Sequence, residues 1–118
     1  METINGCTVI RSSETPEPIR FGPAETNASY VVEVGSFPPG TALPPHVHPN
    51  TDEVFYVADG EATFQLGDRE LEVGAGAFVF VPRGTTHAVR VSGDGPVRGL
   101  ILISPGDAEH QFVPVETS

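Results

Sequence analysis

"PPHVHPNTDEVFYVADG" runs from Pro44 to Gly60 and holds two of the chain's four histidines, His46 and His48, one residue apart. Alternate side chains of a strand share a face, so the two imidazoles can point the same way. Pro49-Asn50-Thr51-Asp52 then breaks the extended run. Glu53 opens a second alternating stretch, with Phe55 and Val57 on its own face. A turn at that place folds the carboxylate back beside the two rings.

Outward from this stretch the same pattern repeats. Another turn, Pro82–Thr86, leads into "HAVRVS", where His87, Val89 and Val91 share one face and Ala88 and Arg90 the other. An inward His87 leaves Arg90 facing solvent, where a charge belongs. Three imidazoles and one carboxylate thus converge from His46, His48, Glu53 and His87. Each alone has an ordinary reading as a surface or hydrogen-bonded group; together, at these spacings, they read as a metal site. The donor set suits Fe, Mn, Co, Ni, Cu or Zn, and does not suit Ca or Mg. No thiolate is offered, which argues against a structural zinc cage. His110, in "GDAEHQF", lies outside the pattern and reads as a surface residue.

The rest of the chain is punctuated for strands. Its 118 residues contain 13 Gly and 12 Pro, and no long helical periodicity survives between them. Strands are expected near 8–11, 30–37, 41–46, 53–58, 61–66, 69–73, 77–81, 87–92, 98–103 and 111–115. Asp59-Gly60 and Gly67-Asp68 read as hairpin turns, and the proline-bearing segment 14–28 as an extended connector. Short strands with turns this regular predict an antiparallel sandwich or barrel built as one domain over 1–118.

Composition excludes several functions. All six basic residues are arginine, against sixteen acidic ones, for a net charge of −10. Such a chain repels a phosphate backbone, so no nucleic-acid partner is expected. The absence of lysine excludes Schiff-base chemistry and a P-loop. The single cysteine, Cys7, has no internal disulfide partner. Residues 1–20 lack an apolar signal segment, and the longest apolar runs, 77–81 and 100–103, are strand-length. The expectation is a cytoplasmic protein with no membrane association.

The spacing of these residues resembles the two motifs of the cupin family. The first motif reads Gly40, five residues, His46-x-His48, four residues, Glu53, six residues, Gly60, and every fixed position matches. The second reads Gly76, five residues, Pro82-x-Gly84, two residues, His87, three residues, then Val91 where the family has Asn. The motifs occupy 40–60 and 76–91. The resemblance implies an all-β double-stranded β-helix, a jelly-roll barrel of antiparallel strands, holding one divalent transition metal on His46, His48, Glu53 and His87. It also implies pairing into homodimers. The segments 52–90 and 97–115 resemble quercetinase-like and polyketide-tailoring cupins in particular.

Alternation proposes an apolar substrate pocket lined by Phe37, Phe55, Phe64, Phe78, Phe80, Val89, Val91 and Ile101, with Ile103 beside them. Sugar-phosphate chemistry would need cationic clamps, and oxalate cleavage an arginine near the metal. The expected partner is therefore a small, largely apolar enol, phenol or carbonyl compound. Glu53 is the candidate catalytic residue, a general base once loosened from the ion. The favoured reading is a quercetinase-like dioxygenase. The alternatives are a metal-dependent cyclase, lyase or isomerase of natural-product metabolism, or a non-catalytic ligand-binding protein.

Overall fold

The computed structural model describes residues 1–116. Its strands are β1 (Glu2–Ile4), β2 (Cys7–Val9), β3 (Ile19–Phe21), β4 (Val31–Phe37), β5 (Ala42–Val47), β6 (Asp52–Asp59), β7 (Ala62–Leu66), β8 (Arg69–Val73), β9 (Ala77–Val81), β10 (His87–Val91), β11 (Val97–Ser104) and β12 (Val113–Pro114). One short α-helix, α1 (Pro23–Thr26), precedes β4, and single 3-10 turns lie at Ser12–Glu14 and Gly106–Ala108. Among the described residues, no helix is long and apolar enough to cross a membrane.

Two five-stranded antiparallel sheets carry the architecture, ordered β12-β5-β10-β7-β8 and β3-β4-β11-β6-β9. Most successive strands from β4 onward change sheet, as a double-stranded β-helix requires. The expected jelly-roll arrangement is present. Two expectations for the connections are corrected. Asp59-Gly60 is not a hairpin turn, because β6 and β7 lie in different sheets. Gly60 sits at φ 95° against the Pro96 carbonyl, where a Cβ would stand 2.4 Å from the oxygen. That bend needs glycine to carry the chain across to the other sheet. Gly67-Asp68 is a true two-residue hairpin, with Leu66 paired to Arg69. The segment 14–28 is not merely a connector: Ile19–Phe21 adds an edge strand to β4 and Pro23–Thr26 forms a helical turn. Proline at the first helical position and Glu25 bonding back to the Gly22 N–H start that turn.

The core lies between the sheets. Phe55, Val57, Ala62, Phe64, Val81 and Val97 are buried there, and the Phe55 and Phe64 rings meet edge to face at 5.0 Å. This plug closes one part of the space between the sheets. The histidines occupy another.

The outer face of the sheet holding β6 is unusually apolar. Cross-strand register places Phe80, Val54, Leu102, Val32 and Phe21 in one row, and Phe78, Tyr56, Leu100, Val34 and Ile19 in the next. Phe78 and Phe80 are 65% and 53% exposed.

Candidate metal centre

His46 lies on β5, His48 just beyond it, Glu53 on β6 and His87 on β10. Strand pairing sets His87 directly opposite His46 in one sheet. The turn after His48 changes sheet, so Glu53 approaches from the facing sheet. Two contacts hold the ligand-bearing turns together. The Gly84 N–H donates to the His48 carbonyl at 2.8 Å. Arg83 donates to both carboxylate oxygens of Asp52, at 3.2 and 3.3 Å.

All four side chains are buried, and one donor atom from each lies within 4.8 Å of the others. His46 Nδ1–H donates to the Pro44 carbonyl at 2.7 Å, and His87 Nδ1–H to the Thr85 carbonyl at 3.0 Å. A carbonyl only accepts, so each proton sits on Nδ1 and each Nε2 turns inward. His87 Nε2 stands 2.8 Å from Glu53 Oε1, and His48 Nε2 3.6 Å from the same oxygen. His46 Nε2 and His48 Nε2 face each other at 3.1 Å. His48 Nδ1 is buried with no partner.

This arrangement fits a cation. Neutral rings whose lone pairs converge repel unless a proton or a metal lies between them. The backbone carbonyls behind His46 and His87 are the outer partners that metal-ligating imidazoles generally have. Burial, the largest influence, pushes the His48 pKa below the ordinary histidine value, as do His46 and His87, with the Glu53 charge opposing. At His87 burial also pushes down, but the Glu53 hydrogen bond, the Thr85 carbonyl and the Glu53 charge together raise the pKa. Without a metal, protonated His87 donates from Nε2 to Glu53 Oε1, and an ion binding at that nitrogen competes with the proton.

A cavity of about 730 Å³ opens onto His46, His48 and Glu53. Of the predicted pocket residues, Phe37 and Ile101 line it, with Ile103. Phe55, Phe64, Val89 and Val91 instead line a separate apolar cavity of about 60 Å³, which Phe37 and Ile101 also touch. Val91, at the position of the family's Asn, thus faces this smaller cavity. Phe78 and Phe80 line neither, and their assignment to the pocket is corrected. The register Val79↔Phe55 and Val81↔Glu53 turns Ala77, Val79 and Val81 inward, so both phenylalanines face out. Arg90 is exposed and pairs with Glu70, and His110 is exposed.

Sequence reasoning missed the mouth of the large cavity. Glu33 from β4 and Glu109, after β11, line it, as does Phe112. The Phe112 ring lies edge-on to His46 at 5.9 Å and tilted over His48 at 6.0 Å. Val113 and Pro114 pair with Val47 and His46 of β5, which brings Phe112 to the histidines. The hydrophobic alternation of 111–115 signalled a strand but not its partner.

A family model described as a cupin domain matches residues 33–104. The dimethylsulfoniopropionate lyase DddQ of Ruegeria pomeroyi is 36% identical over 80 residues, covering 67% of this chain and 37% of that protein. Quercetin 2,3-dioxygenase of Bacillus subtilis is 29% identical over 66 residues, covering 56% of this chain and 20% of that protein. A solved Klebsiella pneumoniae structure, an uncharacterized conserved protein with a double-stranded β-helix domain, superposes with a TM-score of 0.71 at 26% identity, covering 94% of this chain and 99% of that one. The matched stretch covers less than two fifths of the length of either curated relative just described.

Proposed function

This chain belongs to the cupin domain family, and from that premise we propose that it is a mononuclear metal-dependent enzyme acting on a small, largely apolar enol or phenol, most simply as a dioxygenase. One observation carries the reading: three inward Nε2 atoms and a carboxylate converge on a single point that opens into an apolar cavity. His46, His48, Glu53 and His87 would hold the ion. A divalent transition metal bound there supplies Lewis acidity to a chelating oxygen and, where redox-active, a route to dioxygen chemistry.

The chain's own residues supply the remainder. Phe37, Leu43, Ile101, Ile103 and Phe112 make the wall that excludes water from the reacting face. Phe112, above the histidines, offers a ring on which a planar substrate stacks. Glu53 is the proton acceptor: its carboxylate is the group at the site that can take a proton from an enol or phenol hydroxyl. Similarity to a quercetin dioxygenase favours oxygen chemistry, and similarity to a lyase favours bond cleavage without it. In this chain either course can begin with the same proton transfer to Glu53.

Metal content of the purified protein, followed by oxygen uptake with flavonols and simple catechols, tests this reading. Iron, manganese, cobalt, nickel or copper at near one per chain, with oxygen consumed, supports the dioxygenase. Product formed under nitrogen moves the assignment to a lyase, cyclase or isomerase. A chain that takes up no metal overturns the enzyme reading altogether.

We infer further that a second copy of the chain covers the outer face described above. Its two apolar rows cross five strands, about 20 Å at the usual strand spacing. Polar residues flank them, Asp52 and Ser104 on one side and Ser36 and Arg98 on the other. Uncharged patches of this extent mark association surfaces, and here the patch offers a chain of net charge −10 a place to meet its own copy without repulsion. Phe78→Asp should convert a dimer in sedimentation equilibrium into a monomer; a wild-type monomer at micromolar concentration overturns the inference.

A further inference from the structure

The mouth of the large cavity carries a charge pattern that bears on what enters it. Besides the histidines and Glu53, its polar lining side chains are Glu33, Glu109 and Thr41. The Thr41 hydroxyl proton is committed to the Pro38 carbonyl at 2.7 Å. The His46 and His87 Nδ1 protons are committed to backbone carbonyls as well. The polar wall around the apolar surface therefore presents acceptors to a ligand and almost no donors.

A cation already engages both carboxylates. Arg20, on β3, donates to Glu33 at 3.2 Å and forms a second, short ion pair with Glu109. Both carboxylates raise its pKa, Glu109 the more, so the guanidinium stays charged and held between them. One positive and two negative charges leave the mouth net negative, in a chain that has no lysine.

We propose that Glu33 and Glu109 are specificity residues that admit neutral or cationic substrates bearing O–H or N–H donors and reject anionic ones. The proposal rests on the metal-enzyme reading above and narrows its substrate class: a molecule with a chelating oxygen at one end and hydroxyl, amide or ammonium donors at the other. Carboxylates and phosphates share the cavity with two like charges, of which Arg20 offsets only one. A donor-bearing ring finds the Glu33 and Glu109 oxygens as acceptors and Phe112 as a stacking face.

Cobalt(II)-loaded protein at pH 8 supplies the test, because the visible Co(II) spectrum reports both loading and occupancy of the open positions. The probes are azide, imidazole, 3,4-dihydroxybenzoate and 4-(2-aminoethyl)catechol. The wild type should bind the aminoethyl catechol more tightly than the carboxylated one, by about tenfold for two charges acting across a wet cavity mouth. In Glu33→Gln/Glu109→Gln that preference should vanish or invert, and azide should bind about tenfold more tightly, while imidazole changes less than about twofold. Arg20→Met should shift the preference the opposite way, toward the aminoethyl catechol, which keeps the test decisive if the double variant folds poorly. Cobalt-loaded proteins that bind the two catechols with the same ratio in wild type and variants overturn the selection while leaving the metal enzyme intact. Wild-type protein that shows no Co(II) spectrum overturns the metal-enzyme reading and this proposal with it.

Discussion

Replacing His48 by alanine separates a metal-holding role from a packing role. His48 is 6% exposed, and its Nδ1 is buried without a partner. Leaving a polar atom in that state costs about 1–3 kcal/mol, so deleting the ring removes a penalty along with its packing. The van der Waals packing of a partly polar ring of this size is worth a similar amount. In the metal-free protein these terms oppose, and His48→Ala should melt within about 3 °C of wild type, taking 1 kcal/mol as about 4 °C in a domain of this size. With metal the balance changes. At a hundredfold excess over the dissociation constant, binding adds about 2.7 kcal/mol of stability. That is a rise of about 10 °C for wild type. The variant, with one inward nitrogen fewer, should gain under about 3 °C at the same metal concentration. Thermal melts of both proteins, stripped with chelator and then titrated with Co(II) or Zn(II), supply all four values. An equal gain in the two proteins would refute the assignment of His48. A metal-free variant that does not fold would show that the ring is packing the barrel instead.

Proton linkage follows from His87, whose raised pKa extends its protonated range above the ordinary 6.5. Its contribution to metal-free stability is complete below pH 6.5 and is lost as pH rises through the raised folded value. Metal displaces that proton, so loading should release it in the window just above 6.5 and the apparent affinity should fall as pH falls; calorimetry in buffers of different ionisation enthalpy checks this, and no release contradicts it. Gly99→Ala puts a Cβ 2.2 Å from the Tyr56 carbonyl, at the register shift between β11 and β6. It should cost about 3 kcal/mol in denaturant unfolding. Gly95→Ala, with nothing within 4 Å of the added carbon, should be nearly neutral in the same measurement. Arg83→Ala removes the guanidinium tie to Asp52 between the two ligand-bearing turns. It should weaken metal binding by about tenfold and leave metal-free melting almost unchanged; unchanged metal affinity would show that the tie does not position the ligands.

The four convergent residues were legible in the sequence because each lies within a few residues of a turn, and strand alternation then fixes its direction. His46 and His48 share a face by spacing alone, and Arg90 outside implies His87 inside. The cavity wall was less legible because it depends on register between distant strands. A one-residue choice in β9 exchanges Phe78 and Phe80 for Ala77, Val79 and Val81. Alternation allowed either register, and with apolar residues on both faces of β9 it could not tell the inner face from the outer. Glu33, Glu109 and Phe112 were missed because nothing local marks them: Glu109 and Arg20 are 89 positions apart in the chain and meet only once both sheets are closed. The turn at Gly60 was misread for the same reason, since a hairpin and a sheet crossing share the same residues.

The donors come from both sides of the sandwich, rings on β5, just beyond it and on β10, and a carboxylate on β6 of the facing sheet. Whatever occupies the point between them is a rivet through the sandwich. The end plugged by Phe55 and Phe64 is held shut by oil alone, while the histidine end is closed by a removable fastener. Hydrogen exchange should therefore divide the barrel in two: stripping the ion frees the amides of β5 and the first half of β6, and leaves β7 and the middle of β11 as slow as before.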